Sequence, residues 1–419
     1  MTINNEHKKL NVPNKREQNQ TCLDSAEREG LRPKGNVPNL RFPEFQGEWE
    51  EHKLEDITAE IGDGIHATPI YDDNGTFYFV NGNNISEYGI TITATTQKVT
   101  EEEALRNNAS ALNSYSILLS INGTVGNVAL YKNESIMLGK SACYINVSSN
   151  INRNYIFYYL MMPKCQFYFT SELTGTTIKN LSLKSIRKTK VLLPNANEQS
   201  KIARLFDAIN ERIATQTKII DKLQSLIKGI VDCTILRKEK NAIVGDVCSI
   251  SEQIRAEANI DDIITVRLHG NGVCKSSAEN LQLGATQYYR RRAGQLIYGK
   301  QNFHNGAIGI VPISLDNGIT SKDIPSFDID EMKCNSVYLL AQLQSPQYYK
   351  PAEALTTGTG SKRLKEETFL KMPIVLPNKR EQDNIAVLIH RASMNLDHAK
   401  RLLELLSIQK QYLLRQMFI

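Results

Sequence analysis

Beyond Glu198, apolar side chains return at alternating steps of four and three. The positions are Ile202, Phe206, Ile209, Ile213, Gln216, Ile220, Leu223, Ile227, Ile230 and Thr234, eight of the ten apolar. A second run has the same spacing: Ile385, Ile389, Ala392, Leu396, Ala399, Leu403, Leu406, Lys410, Leu413 and Met417, nine of the ten apolar. A mean step of about 3.5 residues is that of a coiled-coil seam, whose side chains fit as knobs into the holes of a facing helix. The two stripes predict two helices, each about 55 Å long at ~1.5 Å rise per residue. A stripe facing only its own domain's core fits this length poorly. The shared register makes each helix the expected antiparallel partner of the other.

Elsewhere the pattern shortens to strand-like runs between Gly, Asn and Thr turns. Phe77–Val80, Ser116–Ile121, Val125–Tyr131 and Ala142–Val147 precede a helix expected over Asn150–Met162. In the same order, Ile263–Leu268, Gln295–Tyr298, Ala307–Pro312 and Ile324–Phe327 precede a helix expected over Cys334–Gln344.

This parallel has a direct trace in the letters. Leu193–Pro194–Asn195 followed by Glu198–Gln199 returns as Leu376–Pro377–Asn378 followed by Glu381–Gln382, an offset of 183 residues (377 − 194). The same offset joins Gly175–Thr176 to Gly358–Thr359 and Leu181 to Leu364. Internal repetition at a fixed offset predicts two copies of one unit, a globular part followed by a long helix. The fold class expected is α+β. Two mixed α/β domains, at 40–197 and 240–380, are separated by helices at 198–239 and 381–419 that form an antiparallel coiled-coil spacer with a pseudo-two-fold internal repeat. Residues 1–39 read as a polar N-terminal arm. Within it Pro13–Gln18 repeats Pro377–Gln382 letter for letter, either a partial third copy of the helix start or a scar of recombination.

With 419 residues and 41% hydrophobic content the chain can bury two cores. A formal charge of +5 suits nucleic acid without demanding it. Seven scattered cysteines without a CxxC pair argue against a zinc site or a disulfide framework and suit a reducing cytoplasm. The polar start predicts no signal peptide, and no apolar run approaches the ~20 residues of a membrane span.

A search for catalytic constellations is negative. Gly139–Lys140–Ser141 resembles the tail of a phosphate loop, but Glu134 stands where that loop needs glycine. No Pro-Pro step of a DNA amino-methyltransferase is present. Asp323 with Glu331–Lys333 matches a nuclease pattern only by a common triplet, and the histidines show no metal spacing. The chain is expected to be no enzyme, with no metal and no cofactor of its own.

What remains is a phosphate-contact chemistry of hydroxyls, glycine backbone and fixed positive charge. It is found in Thr174, Gly175, Thr176, Thr177 and Lys179, and again in Gly358, Thr359, Ser361, Lys362 and Arg363. Asn122, Thr124 and Asn127 are candidate base-edge readers in the first copy, and the matching segment of the second is Gly299–Asn305, with Lys300. Arg290, Arg291 and Arg292 form the densest positive cluster, suited to phosphates or guanine edges. His66 and His304 lie in Gly-rich loops as further ligand candidates.

Two divergent domains alternating with two similar helices, each opened by Leu-Pro-x-x-x-Glu-Gln, resemble the specificity subunit of type I restriction–modification systems. Leu40–Phe45 with Trp49, the stretch Gly62–Pro69 and the two Thr-Gly-Thr loops add to the likeness, which covers roughly residues 40–419. The resemblance implies that each variable part is a target-recognition domain reading one half of a bipartite double-stranded DNA site. It implies that the helices set the gap and dock two methyltransferase subunits, with restriction/translocase subunits joining them. S-adenosylmethionine, ATP and Mg are then expected on those partners, and the target adenine flips into the methyltransferase. Two other readings are a self-contained DNA-binding regulator whose coiled coil joins two chains, and a scaffold that does not bind DNA.

Overall fold

The computed structural model describes residues 35–175, 179–276, 286–358 and 362–419. The chain divides into two compact units, one of residues up to Ile213 with Leu405–Ile419, the other Ala214–Glu404. Each holds a globular part and a share of both long helices.

In the first unit, strand β1 (Glu50–Lys53) is followed by a single tight turn, in which the Asp56 carboxylate accepts the Lys53 N–H (3.2 Å). Strands β2 (Thr58–Asp63), β3 (Ser116–Ser120), β4 (Val128–Leu130) and β5 (Ala142–Val147) form one antiparallel sheet in the order β2-β5-β3-β4. The largely apolar character of β3 and β5 is that of strands covered on both faces, and every residue of both is buried. Val125–Gly126–Asn127 were expected to open β4, but Gly126 has a positive φ of 95° and the segment stays a loop. Helix α1 (Arg153–Met161) begins where the Asn152 side chain accepts the Tyr155 N–H (3.0 Å). Strand β6 (Lys190–Leu193) pairs with β1 and brings the chain to its Pro194.

The second unit repeats this order. Strands β7 (Ala242–Ile243) and β12 (Pro373–Ile374) pair, and β8 (Cys248–Ile250), β9 (Leu296–Tyr298), β10 (Ile308–Ile310) and β11 (Ser326–Ile329) form a sheet in the order β8-β11-β9-β10. Its core is aromatic: Tyr298, Phe303, Phe327 and Phe369 pack ring against ring at 4.7–5.7 Å. Helix α3 (Ser336–Leu343) is capped by Asn335, the counterpart of Asn152.

The hydrogen bonds at the long-helix starts recur residue for residue. Asn152 N–H donates to the Gln199 side chain (3.0 Å), and Asn335 N–H to that of Gln382 (2.9 Å). Each glutamine returns a donor to the carbonyl of Pro194 or Pro377, at 2.8 Å in both. Tyr155 donates to the Leu192 carbonyl (2.6 Å) and Tyr338 to that of Val375 (3.0 Å). In every pair the residues differ by 183, as 335 − 152 and 375 − 192 show.

Helix α2 spans Ala196–Val231 and continues through a π turn to Leu236; helix α4 spans Lys379–Gln416. In the first unit Ile202, Phe206, Ile209, Ile213 and Leu406 are buried, and Leu413 is half-buried. Leu414 and Phe418 complete that end, the Phe418 ring lying 5.6 Å from Phe206 and 5.3 Å from Tyr155. In the second unit Ile220, Ile385 and Ile389 are buried, while Leu223, Ile227, Leu396 and Leu403 are half-buried. There the two stretches run antiparallel: Gln216 donates to the Ala399 carbonyl (3.0 Å) and, further along, Lys238 pairs with Glu381.

Candidate nucleic-acid interface

In the first unit the polar residues singled out above collect at one end of the sheet, where β2 and β3 finish and β5 begins. Gly139–Ala142 is a tight turn closed by Ala142 N–H on the Gly139 carbonyl (2.9 Å). The chain beyond β2 lies hard against it, with Ile65 N–H on the Leu138 carbonyl (2.9 Å), and a Cβ at Gly64 would collide with Gly139. On the other side Ile121 N–H donates to the Ser141 carbonyl (3.0 Å) and Gly82 N–H to the Ser141 hydroxyl (2.8 Å). Asn122 faces Asn180 in an isolated antiparallel bridge, and Leu181 N–H donates to the Ile121 carbonyl (2.9 Å). The Thr174–Asn180 loop is closed by two backbone bonds of 3.0 and 2.9 Å, with Gly175 at φ 96°.

This fold brings Asn122, Thr124, the closing residues Thr174 and Asn180 and, past the end of β2, His66 to the same end of the sheet. Thr124 donates to the Gly82 carbonyl (3.2 Å) and Asn127 to that of Ile85 (3.0 Å), so both side chains also hold their own loop. His66 is exposed and 2.9 Å from the Asp63 carboxylate. Lys179 is exposed. Thr176 and Thr177 lie outside the described residues, as do Thr359, Ser361 and nearly all of the N-terminal arm.

The second unit closes its loop in the same way, with Thr357 and Arg363 exchanging backbone bonds of 3.0 and 2.9 Å and Gly358 at φ 129°. Its cations are already engaged. Lys300 is 2.7 Å from Glu366, Lys362 is 3.3 Å from Glu353, and Arg363 is 3.3 Å from Asp323. These acids carry no pattern of their own in the sequence, and the pairs were not foreseen.

Arg291 corrects one expectation. It is fully buried rather than offered to a phosphate, and its guanidinium donates to Thr320 Oγ1 (2.8 Å), Ser326 Oγ (3.0 Å) and the Ile324 carbonyl (3.1 Å). Burial pushes its pKa down to about 10. Successive residues of extended chain face opposite sides, so the middle of three arginines points inward while Arg290 and Arg292 are exposed. That alternation was readable in the sequence. His304 lies on a short turn after Asn302, its Nδ1 buried without a partner among the described residues.

Among the described residues no group of three His, Cys, Asp or Glu side chains could hold a metal ion, and no helix is long and apolar enough to cross a membrane. Two α/β units of one topology each carry a Gly-turned polar loop at the sheet end. Over 91% of this chain and 99% of the other, the fold is that of a type I restriction-modification system S subunit from M. genitalium, with a TM-score of 0.61 and 13% identity. The HsdS subunit from Thermoanaerobacter tengcongensis is also similar, at 14% identity and a TM-score of 0.39 over 88% of this chain and 96% of that one. Residues 46–225 match the type I restriction modification DNA specificity domain.

Proposed function

We propose that this chain is the DNA sequence-specificity subunit of a type I restriction–modification complex. Residues 40–197 and 240–380 are its two target-recognition domains, each reading one half of an asymmetric bipartite site. Helices 198–239 and 381–419 form the antiparallel coiled-coil spacer that sets the unread gap and docks two methyltransferase subunits, with restriction/translocase subunits completing the assembly. The observation that carries this reading is the family match over residues 46–225, joined to the recurrence of one loop closure, Thr174–Asn180 and Thr357–Arg363, in both units.

The physical division of labour follows. Glycine backbone, hydroxyls and Lys179 or Lys362 hold phosphates and so fix register, while Asn122 and its neighbours meet base edges. The chain does no chemistry itself. S-adenosylmethionine, ATP and Mg belong to the partner subunits, and the complex works on adenine in cytoplasmic DNA.

The test is to express the chain with its methyltransferase subunit in a host lacking the system and to map N6-methyladenine across the genome. A split, asymmetric motif that depends on this chain supports the reading. A contiguous motif overturns the spacer, and a stable complex that methylates nothing favours the self-contained regulator.

A further inference from the structure

The turn that opens β5 has a counterpart in the second unit that the 183-residue offset hides. In the first, Ala142 N–H donates to the Gly139 carbonyl (2.9 Å), with Lys140 and Ser141 at the centre of the turn. In the second, Ile324 N–H donates to the Ser321 carbonyl (3.1 Å), with Lys322 and Asp323 at its centre. The carbonyl of Ser141 accepts from Ile121 N–H (3.0 Å), and that of Asp323 from Lys300 N–H (2.9 Å). The carbonyls of Ile121 and Lys300 accept in turn from Leu181 and Leu364, at 2.9 Å in both, the residues just beyond the two Thr-Gly loops. Three bonds in series thus fix Lys140 relative to one loop and Lys322 relative to the other. The separations drift along the series, 182 (322 − 140), 179 (300 − 121) and 183 (364 − 181), so a gap-free comparison at the 183-residue offset does not align the lysines.

Both lysines are exposed, and neither has an ion pair or hydrogen bond among the described residues. Of the other cations around the second loop, Lys300, Lys362 and Arg363 each face a carboxylate, while Lys365, just past Leu364, is exposed. One lysine at a turn tip is an ordinary solvated residue. Two at the same node of the same hydrogen-bonded frame, where the next residue has diverged from Ser141 to Asp323, are a retained charge.

We propose that Lys140 and Lys322 are matched phosphate contacts, one for each half-site reader, each seating the DNA backbone where the Thr-Gly loop meets the sheet end. The assignment rests on the DNA-reading function proposed above. A lysine ammonium is a compact point charge suited to a phosphate rather than to two-point reading of a base.

The test uses the complex with its methyltransferase subunits, a mixed-sequence duplex and a duplex carrying the motif that the complex methylates. Affinity is measured against salt for the wild type, Lys140→Ala, Lys322→Ala, the double variant, and each lysine changed to Arg. Lys190→Ala, whose ammonium is paired with Glu51 beside β1, is the control. Each alanine should flatten the slope of log affinity against log salt by about one unit on both duplexes, and the double by about two. Arginine should restore the slope, with base preference and thermal melting unchanged. A wild-type slope in both single variants overturns the assignment while leaving DNA reading intact. So does a loss of preference at one base pair, which would make the lysine a base reader. A wild-type complex without salt-dependent DNA binding overturns the functional reading and this assignment together.

Discussion

Arg41 and Glu198 meet through two hydrogen bonds of 2.7 Å each, and the carboxylate is wholly shielded from solvent. The bonds raise the pKa of Arg41, whose remaining donors reach the carbonyls of Gly47 (2.6 Å) and Gln46 (3.2 Å). The approach to the first unit is thereby pinned to the first turn of α2. Removing one partner strands a buried charge. Glu198→Ala should cost about 3 kcal/mol of stability, read by denaturant unfolding of the first transition. The counterpart Glu381 pairs with a half-exposed Lys238, so Lys238→Ala should cost under ~1 kcal/mol. Equal losses would show that burial does not govern the difference.

Arg291 should behave as a core residue. Arg291→Leu leaves Thr320, Ser326 and the Ile324 carbonyl short of a donor, and about 3 kcal/mol of stability should be lost with the salt dependence of DNA binding unchanged. Arg290→Ala should leave stability unchanged. A reduced salt slope in Arg291→Leu would contradict the buried role.

The loop cations should differ in strength. Lys179 is exposed without a carboxylate partner among the described residues, whereas Lys362 is shared with Glu353. Lys179→Ala should flatten the salt slope by about one unit and Lys362→Ala by less. Glu353→Gln should strengthen DNA binding by freeing Lys362. Weaker binding in that variant would remove Lys362 from the contact set.

Lys410 occupies a seam position, yet its side chain is 4% exposed and 2.6 Å from Glu87. Glu87→Gln alone should destabilise the first unit by leaving the ammonium buried and unpaired. Glu87→Gln with Lys410→Leu should recover most of that loss. A double-mutant cycle with no coupling would refute the pairing.

Burial pushes the thiols of Cys248 and Cys334 up to about 12, and those of Cys143 and Cys165 up as well. In the unfolded chain a thiol ionises near ~8.5. Above that pH the unfolded state has released protons that the folded state retains, so stability present at neutral pH should fall as pH rises toward 12. At pH 8, a thiol reagent should label exposed Cys233 at once and these four only on unfolding. Rapid native labelling of Cys248 would contradict the buried state.

Local pattern was enough where local physics decides. Phe77–Val80 and Ala142–Val147 carry the bounds read from their apolar runs, because each pairs with a strand on both edges. The expected helix Asn150–Met162 is trimmed to Arg153–Met161 because Asn152 spends its side chain as a cap. The stripes after Glu198 and Glu381 announced long helices of 36 and 38 residues. Partners distant in the chain were not legible. Nothing near Arg41 points to a carboxylate 157 residues on, and nothing near Lys362 marks Glu353 as its counter-charge. The candidate interface was half legible for the same reason. The loops stood out by composition, but which of their charges are free depends on contacts that only folding supplies.

The paired clamps, Asn152 with Gln199 and Asn335 with Gln382, have a consequence for inheritance. Both joints use the same two side chains and the same proline carbonyl, so neither is tied to the strands it happens to support. A genetic exchange cut between these joints would hand a helix an unfamiliar globular part without breaking a clamp bond. The joint is what the two copies share, and the strands around it are where they differ.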